Sequence, residues 1–214
     1  MSPRRYKTDR RMAAKDETRR RIVAATVALH AKHGGAATTY AMIAKEADVA
    51  VPTVYNHFPD QAELFRACTG DVMAQAPALG PELFDGIDET EGRLKALVAA
   101  VFAAHRFMAP WLRWHEEALF PALAKIMQEA RDRLAQLIAL ALAPRFGQKP
   151  PASLIALCDI LLDFTAWQRL SEDGAKDDRA AIAAASAALI AICASHDLHT
   201  RPSPVTTEPT RRSR

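Results

Sequence analysis

Cysteine is scarce in this chain: Cys68, Cys158 and Cys193 are odd in number, far apart and never in a CxxC spacing. That excludes a disulfide framework and a zinc-ribbon type of site, and points to a reduced cytoplasmic protein whose thiols fill core space. Glycine is scarce too, with no glycine-rich phosphate loop, and β-branched residues thin out after Thr69 with no two-residue alternation, so strands are not expected. His115-Glu116-Glu117 opens like a zinc-protease helix, but Leu119 stands where the second histidine belongs. No Glu-x-x-His pair and no nucleophile beside a base occur, and the sequence points to no enzyme and to no cofactor. His30 and His33, three apart, and Asp159 and Asp163, four apart, share helix faces, but solvated or packing roles are commoner than metal or acid-base roles for such pairs, and no metal site is assigned. An apolar leader is missing because the start is arginine-rich. The charge-free run from Ala180 to Ser195 is shorter than the ~18 to 20 residues of a membrane span, so no membrane association is expected.

What the chain has is alanine, leucine and helical periodicity. Half of its 214 residues are hydrophobic, enough to bury one small and one larger core. The pattern predicts helices at about 15–33, 39–47, 51–57, 61–75, 91–108, 112–118, 121–143, 152–172 and 177–195, separated at Pro77, Gly80, Pro81, Pro110, Pro121, Gly147, Pro150, Pro151 and Gly174. The charge is polarised along this order. Residues 1–66 hold 12 basic and 7 acidic side chains, residues 67–197 hold 12 and 17, and residues 198–214 hold 4 and 1. A positive amino-terminal end suits a polyanion.

Within that positive end, Thr38 and Thr39 precede a short apolar-periodic helix on which Ile43, Ala44 and Ala47 share a face. Asp48 suits the left-handed conformation of a tight turn, Val49 plugs the angle, and Pro52 fits the first turn of a second helix. On that helix Val54 and Phe58 face inward, whereas Val51, Thr53 and Asn56 face outward, as a major-groove probe would require. Thr53, Tyr55 and His57 offer donors for phosphate, and base reading would fall to Val51, Pro52, Thr53 and Asn56. The first 21 residues carry nine cations, from Arg4 to Arg21, suited to phosphates or a minor groove.

The stretch IVAATVALHAKHG, TT, IAKEADV, TVYNHF and AELF, spanning Ile22 to Leu64, resembles the DNA-binding domain of the TetR family of bacterial transcription regulators. It departs from the family at Asp48, where glycine is usual in the turn; at Ala50, where serine usually caps the recognition helix; and at Gln61, where lysine often contacts phosphate. Loss of the cap should cost on the order of 1 kcal/mol. The resemblance implies an all-α fold of about nine helices: an N-terminal three-helix helix-turn-helix DNA-binding domain, followed by a C-terminal helical ligand-binding and dimerisation domain. The expected boundaries are a basic disordered arm at 1–14, the DNA-binding domain at 15–66, the effector and dimer domain at 67–198, and a disordered tail at 199–214. DNA contacts are expected from Thr38, Thr39, Lys45, Val51, Pro52, Thr53, Tyr55, Asn56, His57 and Gln61.

Two further surfaces are expected. Leu154, Leu157, Leu161 and Phe164 repeat at helical spacing, as do Ile182, Ala185, Leu189 and Ile192, and both stripes ask for helical partners. In the resembled family such a helix pair builds a homodimer through a four-helix interface. Residues Val101 to Met127 concentrate aromatics and methionine, so that Phe102, His105, Arg106, Met108, Trp111, Trp114, His115, Phe120, Met127 and, later, Trp167 are candidate lining of an apolar small-molecule site. The resemblance implies a ligand-responsive regulator, a repressor by family precedent, that binds a palindromic operator. The alternative is a helical small-molecule- or metal-binding protein with degenerate DNA recognition.

Overall fold

A computed structural model describes residues 3–171 and 178–200, with side chains for 9–171 and 178–196. These residues form nine α-helices and no strand. In chain order they are α1 Pro3–His33, α2 Tyr40–Glu46, α3 Val51–His57, α4 Gln61–Gln75, α5 Thr90–Leu112, α6 Pro121–Phe146, α7 Ala152–Leu161, α8 Phe164–Leu170 and α9 Arg179–Thr200, with a single 3-10 turn at Pro81–Phe84.

Two separate cores organise them. The head core gathers Ile22, Ala25 and Leu29 of α1, Ile43, Ala44 and Ala47 around α2, Val54 of α3, Phe58 just after it and Leu64 of α4. The body core gathers Leu94, Leu97, Val98, Val101 and Phe102 of α5, Leu137, Ile138, Ala141 and Leu142 of α6, and Leu154, Cys158, Leu162, Phe164, Trp167, Ala185 and Leu189 of α7 to α9. All three cysteines are free and buried. Burial pushes the Cys68 thiol up to about 11 and Cys158 to about 12, so neither offers a thiolate near neutrality.

Four expectations are corrected. The arm at 1–14 is not irregular: α1 is continuous from Pro3, because Pro3 suits a first helical turn and no breaker follows before Gly34. No helix occupies 112–118. Instead α5 runs through Pro110 to Leu112, since the proline removes one hydrogen bond only half a turn before the helix ends. The helix expected at 152–172 is two, because the Asp163 carboxylate accepts the Thr165 N–H at 2.8 Å and caps a new start. Finally, α9 is 22 residues long, and its 179–196 window, of mean hydropathy 1.5, is long and apolar enough to cross a membrane by length and composition alone. Its Ala181, Ala185, Leu189 and Cys193 are buried in the body core. The expected tail lies, from residue 201, outside the described residues.

Candidate nucleic-acid interface

The reading head is built from local signals. Thr39 caps α2, its hydroxyl accepting the Met42 N–H at 3.2 Å. Asp48 adopts φ 50 in the turn, a conformation that asparagine and aspartate tolerate better than other side chains. Val49 donates to the Ala44 carbonyl at 2.9 Å. Helix α3 then starts at Val51 with no side-chain cap from Ala50, and Asp60 caps α4 through the Glu63 N–H at 2.7 Å.

Two arginines of α1 lock this arrangement. The Arg21 guanidinium donates to the carbonyls of Ala47 and Asp48, the second at 2.7 Å, and pairs with the Asp48 carboxylate at 3.6 Å. It therefore holds a turn that lacks glycine. Arg19 donates to the His57 carbonyl at 3.0 Å, pairs with Glu63 at 3.3 Å and lies 4.1 Å over the Phe58 ring. It satisfies an orphan carbonyl at the end of α3. Sequence reasoning counted both among DNA-facing cations; their carbonyl partners, 27 and 38 residues away, carry no local signal.

With Val54 and Phe58 fully buried, α3 turns Val51, Pro52, Tyr55 and Asn56 to solvent, Tyr55 being 53% exposed. Lys45 and Gln61 are exposed, and Thr53 is half-buried. Tyr55 stacks on Tyr40 at 4.6 Å, and the Tyr40 hydroxyl donates to the Phe58 carbonyl at 3.1 Å, which fixes the Tyr55 ring without using its own hydroxyl. Tyr40 escaped the sequence reading. Thr38 is a correction: it is buried, and its hydroxyl donates to the Gly34 carbonyl at 2.7 Å, so it ties the α1–α2 link rather than facing a duplex. His57 is half-buried, with Nδ1 buried and unpartnered among the described residues. Burial, then Lys15 and Arg19, hold its pKa below the ordinary histidine range. Both causes favour the neutral imidazole over the cation.

Several residues expected in an effector site instead join head to body. The Trp111 indole N–H donates to the Val27 carbonyl at 3.0 Å, and Arg113 to that of Ala31 at 2.7 Å. The Glu116 carboxylate accepts the N–H groups of Gly35 and Ala36, the latter at 3.1 Å. Phe120 packs on Phe65 at 4.5 Å, and Phe65 on His30 at 4.9 Å. The approach is close: a Cβ at Gly35 would stand 2.6 Å from the Phe65 ring edge. Trp111 and Phe120 are thus corrected from pocket lining to joint.

Other members of that set serve the body. Phe102 is fully buried core. Arg106 forms a two-pronged pair with Asp178, one bond at 2.7 Å, and Asp178 also accepts from the Trp167 indole at 3.2 Å and the Ser171 hydroxyl at 3.0 Å. Burial opposes the Asp178 charge, but these donors outweigh it and hold its pKa below the usual carboxylate range. Trp114 is exposed and donates to the Pro110 carbonyl at 3.1 Å. What remains together is His105, bonded to the Leu162 carbonyl at 2.7 Å and ringed by Phe164, Trp167 and Phe102, with His115 against Phe164 at 6.1 Å. Met108 and Met127 are half-buried on α5 and α6.

The expected association stripes are split by the fold. Leu154, Phe164, Ala185 and Leu189 are inside the chain's own core and unavailable to a partner, while Leu161, Ile182 and Ile192 are partly buried against it. Leu157 and the unexpected Ile160 are 41% and 63% exposed. On α9, Ile182, Ala183, Ser186, Ala187, Ile190, Ala191 and Ala194 line an open apolar groove bounded by Lys95 and Arg179.

Residues 22–68 match the model of the family described as bacterial regulatory proteins, tetR family. No curated protein matches the chain. Among solved structures, a transcriptional regulator from Streptomyces coelicolor A3(2) is 20% identical with a TM-score of 0.59, covering 83% of this chain and 98% of its own. A regulator from Saccharomonospora viridis in complex with choline is 22% identical, TM-score 0.57, covering 83% and 95%. The multidrug binding protein EbrR, complexed with imidazole, is 23% identical, TM-score 0.53, covering 88% and 92%. The exposed α3, the capped α2 and α4 around it and the matched segment agree: residues 22–68 form a helix-turn-helix head of the tetR type, and the chain as a whole is similar in fold to these solved structures.

Proposed function

We propose that the chain is a homodimeric regulator that grips an inverted-repeat DNA site through two copies of α3 and is released by a small, largely apolar effector, which makes it a repressor. The carrying observation is α3 itself: a short helix anchored by fully buried Val54 and by Phe58 at its end, while Val51, Pro52, Tyr55 and Asn56 stand clear. One such helix contacts too few bases to select a genomic site, and two copies about 34 to 36 Å apart read a palindrome. The α9 groove with Leu157 and Ile160 is the apolar surface that a second copy would cover.

The effector reading rests on half-buried His105 and exposed His115 against the rings of Phe164 and Trp167, with Met108 and Met127 half-buried on α5 and α6. Two structures of the same fold hold small organic molecules, choline and imidazole. An occupant that prefers one tilt of α5 would shift the head through Trp111 and Glu116, and a coupling of about 1 to 3 kcal/mol weakens DNA binding roughly five- to 150-fold.

Selection of duplexes from a random pool, followed by footprinting, tests the proposal. It should yield one palindrome protected on one face. Asn56→Ala should change the preferred base at one position of each half-site, and Tyr55→Phe should weaken all duplexes alike. A pool that yields no preferred sequence, or a protein that stays monomeric at micromolar concentration, ends the reading.

A further inference from the structure

The amino-terminal half of α1 has no structural employment. The first residue of that helix bonded to the head is Arg19, so the helix from Pro3 runs for roughly 24 Å at 1.5 Å per residue before that bond. Residues 9–17 are all exposed, Met12 at 60%. A lone helix of this length is marginal in water without something to pack on.

Its charges are nonetheless sorted. At 100° per residue, Arg11, Lys15 and Arg19 stack on one face with Asp16 at its edge, whereas Asp9, Arg10, Glu17 and Arg20 fall on the other. Sequence positions Arg4 and Lys7 continue the first spacing towards the chain start. The cations also differ in what they do. Arg19 and Arg21 are engaged with carbonyls and carboxylates of the head, and Arg20 is paired with Glu17. Arg11 and Lys15 make no hydrogen bond or ion pair among the described residues. Lys15, Asp16 and Arg19 border a groove of about 520 Å³ whose other wall carries Asn56 and His57 of α3 and Glu63 of α4.

We propose that this projecting helix is a second DNA-contacting element, in which Arg11 and Lys15 sit on backbone phosphates flanking the bases that α3 reads. A duplex seated against Val51 and Asn56 must continue past the His57 end of α3, where the sorted face lies beside it. Two unpaired cations four residues apart on a rigid helix match successive phosphates of one strand, and the contact carries no base preference. This rests on the DNA-binding reading above and extends its footprint beyond the half-site.

The test is the salt dependence of binding to random-sequence duplex DNA by the full chain, its Arg11→Ala/Lys15→Ala variant and Arg20→Ala on the opposite face. Removing one cation from a phosphate flattens the plot of log affinity against log salt by about one unit. The double variant should flatten by about two per reading head, with Arg20→Ala superimposed on the parent. An unchanged slope in the double variant, or equal flattening in Arg20→Ala, overturns the proposal. Because the readout uses random sequence, it is independent of whether a preferred palindrome exists. A flattened slope in a protein that selects no palindrome would keep the phosphate-binding helix and remove the operator-reading function.

Discussion

The Glu116 carboxylate sits 2.5 Å from the backbone nitrogen of Gly35, 81 residues earlier in the chain, and its second oxygen takes the Ala36 N–H. One side chain of the body thereby closes the α1–α2 link of the head. Glutamine at this position keeps one acceptor oxygen and loses the charge. Glu116→Gln should therefore weaken the joint by about 1.5 kcal/mol, the lower range for hydrogen bonds to a charged group, and leave both cores folded. Hydrogen exchange is the measurement: the Gly35 and Ala36 amides should exchange about tenfold faster while body-core amides do not change. Unchanged exchange at both amides would show that the carboxylate does not hold the link.

Arg21 should matter for the turn and not for phosphate. Arg21→Ala leaves the Ala47 and Asp48 carbonyls without their donor, beside a residue already at positive φ. The guanidinium is 43% exposed, so solvent discounts the loss to about 1 kcal/mol of head stability. Thermal unfolding of the variant should show the decrease. Asp48→Gly in the Arg21→Ala background should recover part of it, since glycine relieves the left-handed strain. A variant as stable as the parent but with a flattened salt slope would reverse the assignment and place Arg21 on DNA.

Acid should loosen the joint before it unfolds the body's ion pair. Burial, opposed by Glu116, lowers the His30 pKa below 6.5, and burial likewise lowers that of His105 against the Leu162 carbonyl and Asp163. The unfolded chain therefore binds protons at these sites at a pH where the folded chain does not. Stability is complete above 6.5 and is lost as pH falls below it towards the folded values. Urea midpoints measured across that range should fall with acidification, and His30→Gln should flatten the decline. Parallel declines in parent and variant would show that His30 contributes nothing to it. The Asp178 carboxylate, held below the usual range by Arg106, Ser171 and Trp167 against its own burial, keeps its charge until much lower pH.

Short-range rules made the head legible. The bounds of α3 and α4 follow from Pro52, the Pro59-Asp60 step and the Asp60 cap, all within four residues of the ends that they set, and Asp48 took the left-handed turn expected of it. What the sequence hid has long separations. Trp111 finds its partner 84 residues away, and Glu116 finds its partners 80 and 81 away, so an aromatic-rich segment suggested a cavity where part of it is a joint. Periodicity also reports that a helix face is apolar without saying who covers it. Leu154, Ala185 and Leu189 are claimed by their own chain, whereas Leu157 and Ile160, on neighbouring positions of the same helix as Leu154, are not. The arm was misjudged for a simpler reason: charge density was weighed above the good helix propensity of arginine, lysine, methionine and alanine.

Because α1 is one unbroken rod of 31 residues, it spans about 46 Å at 1.5 Å per residue, and the body grasps it only near its far end, at Val27 and Ala31. That geometry is a lever with its fulcrum close to one extremity. A rotation of about 5° at the grip sweeps the free tip, about 36 Å away, through about 3 Å, comparable to the rise of a base-pair step. A displacement too small to disturb the packing of the body would suffice to lift the whole amino-terminal shaft out of register with the double helix.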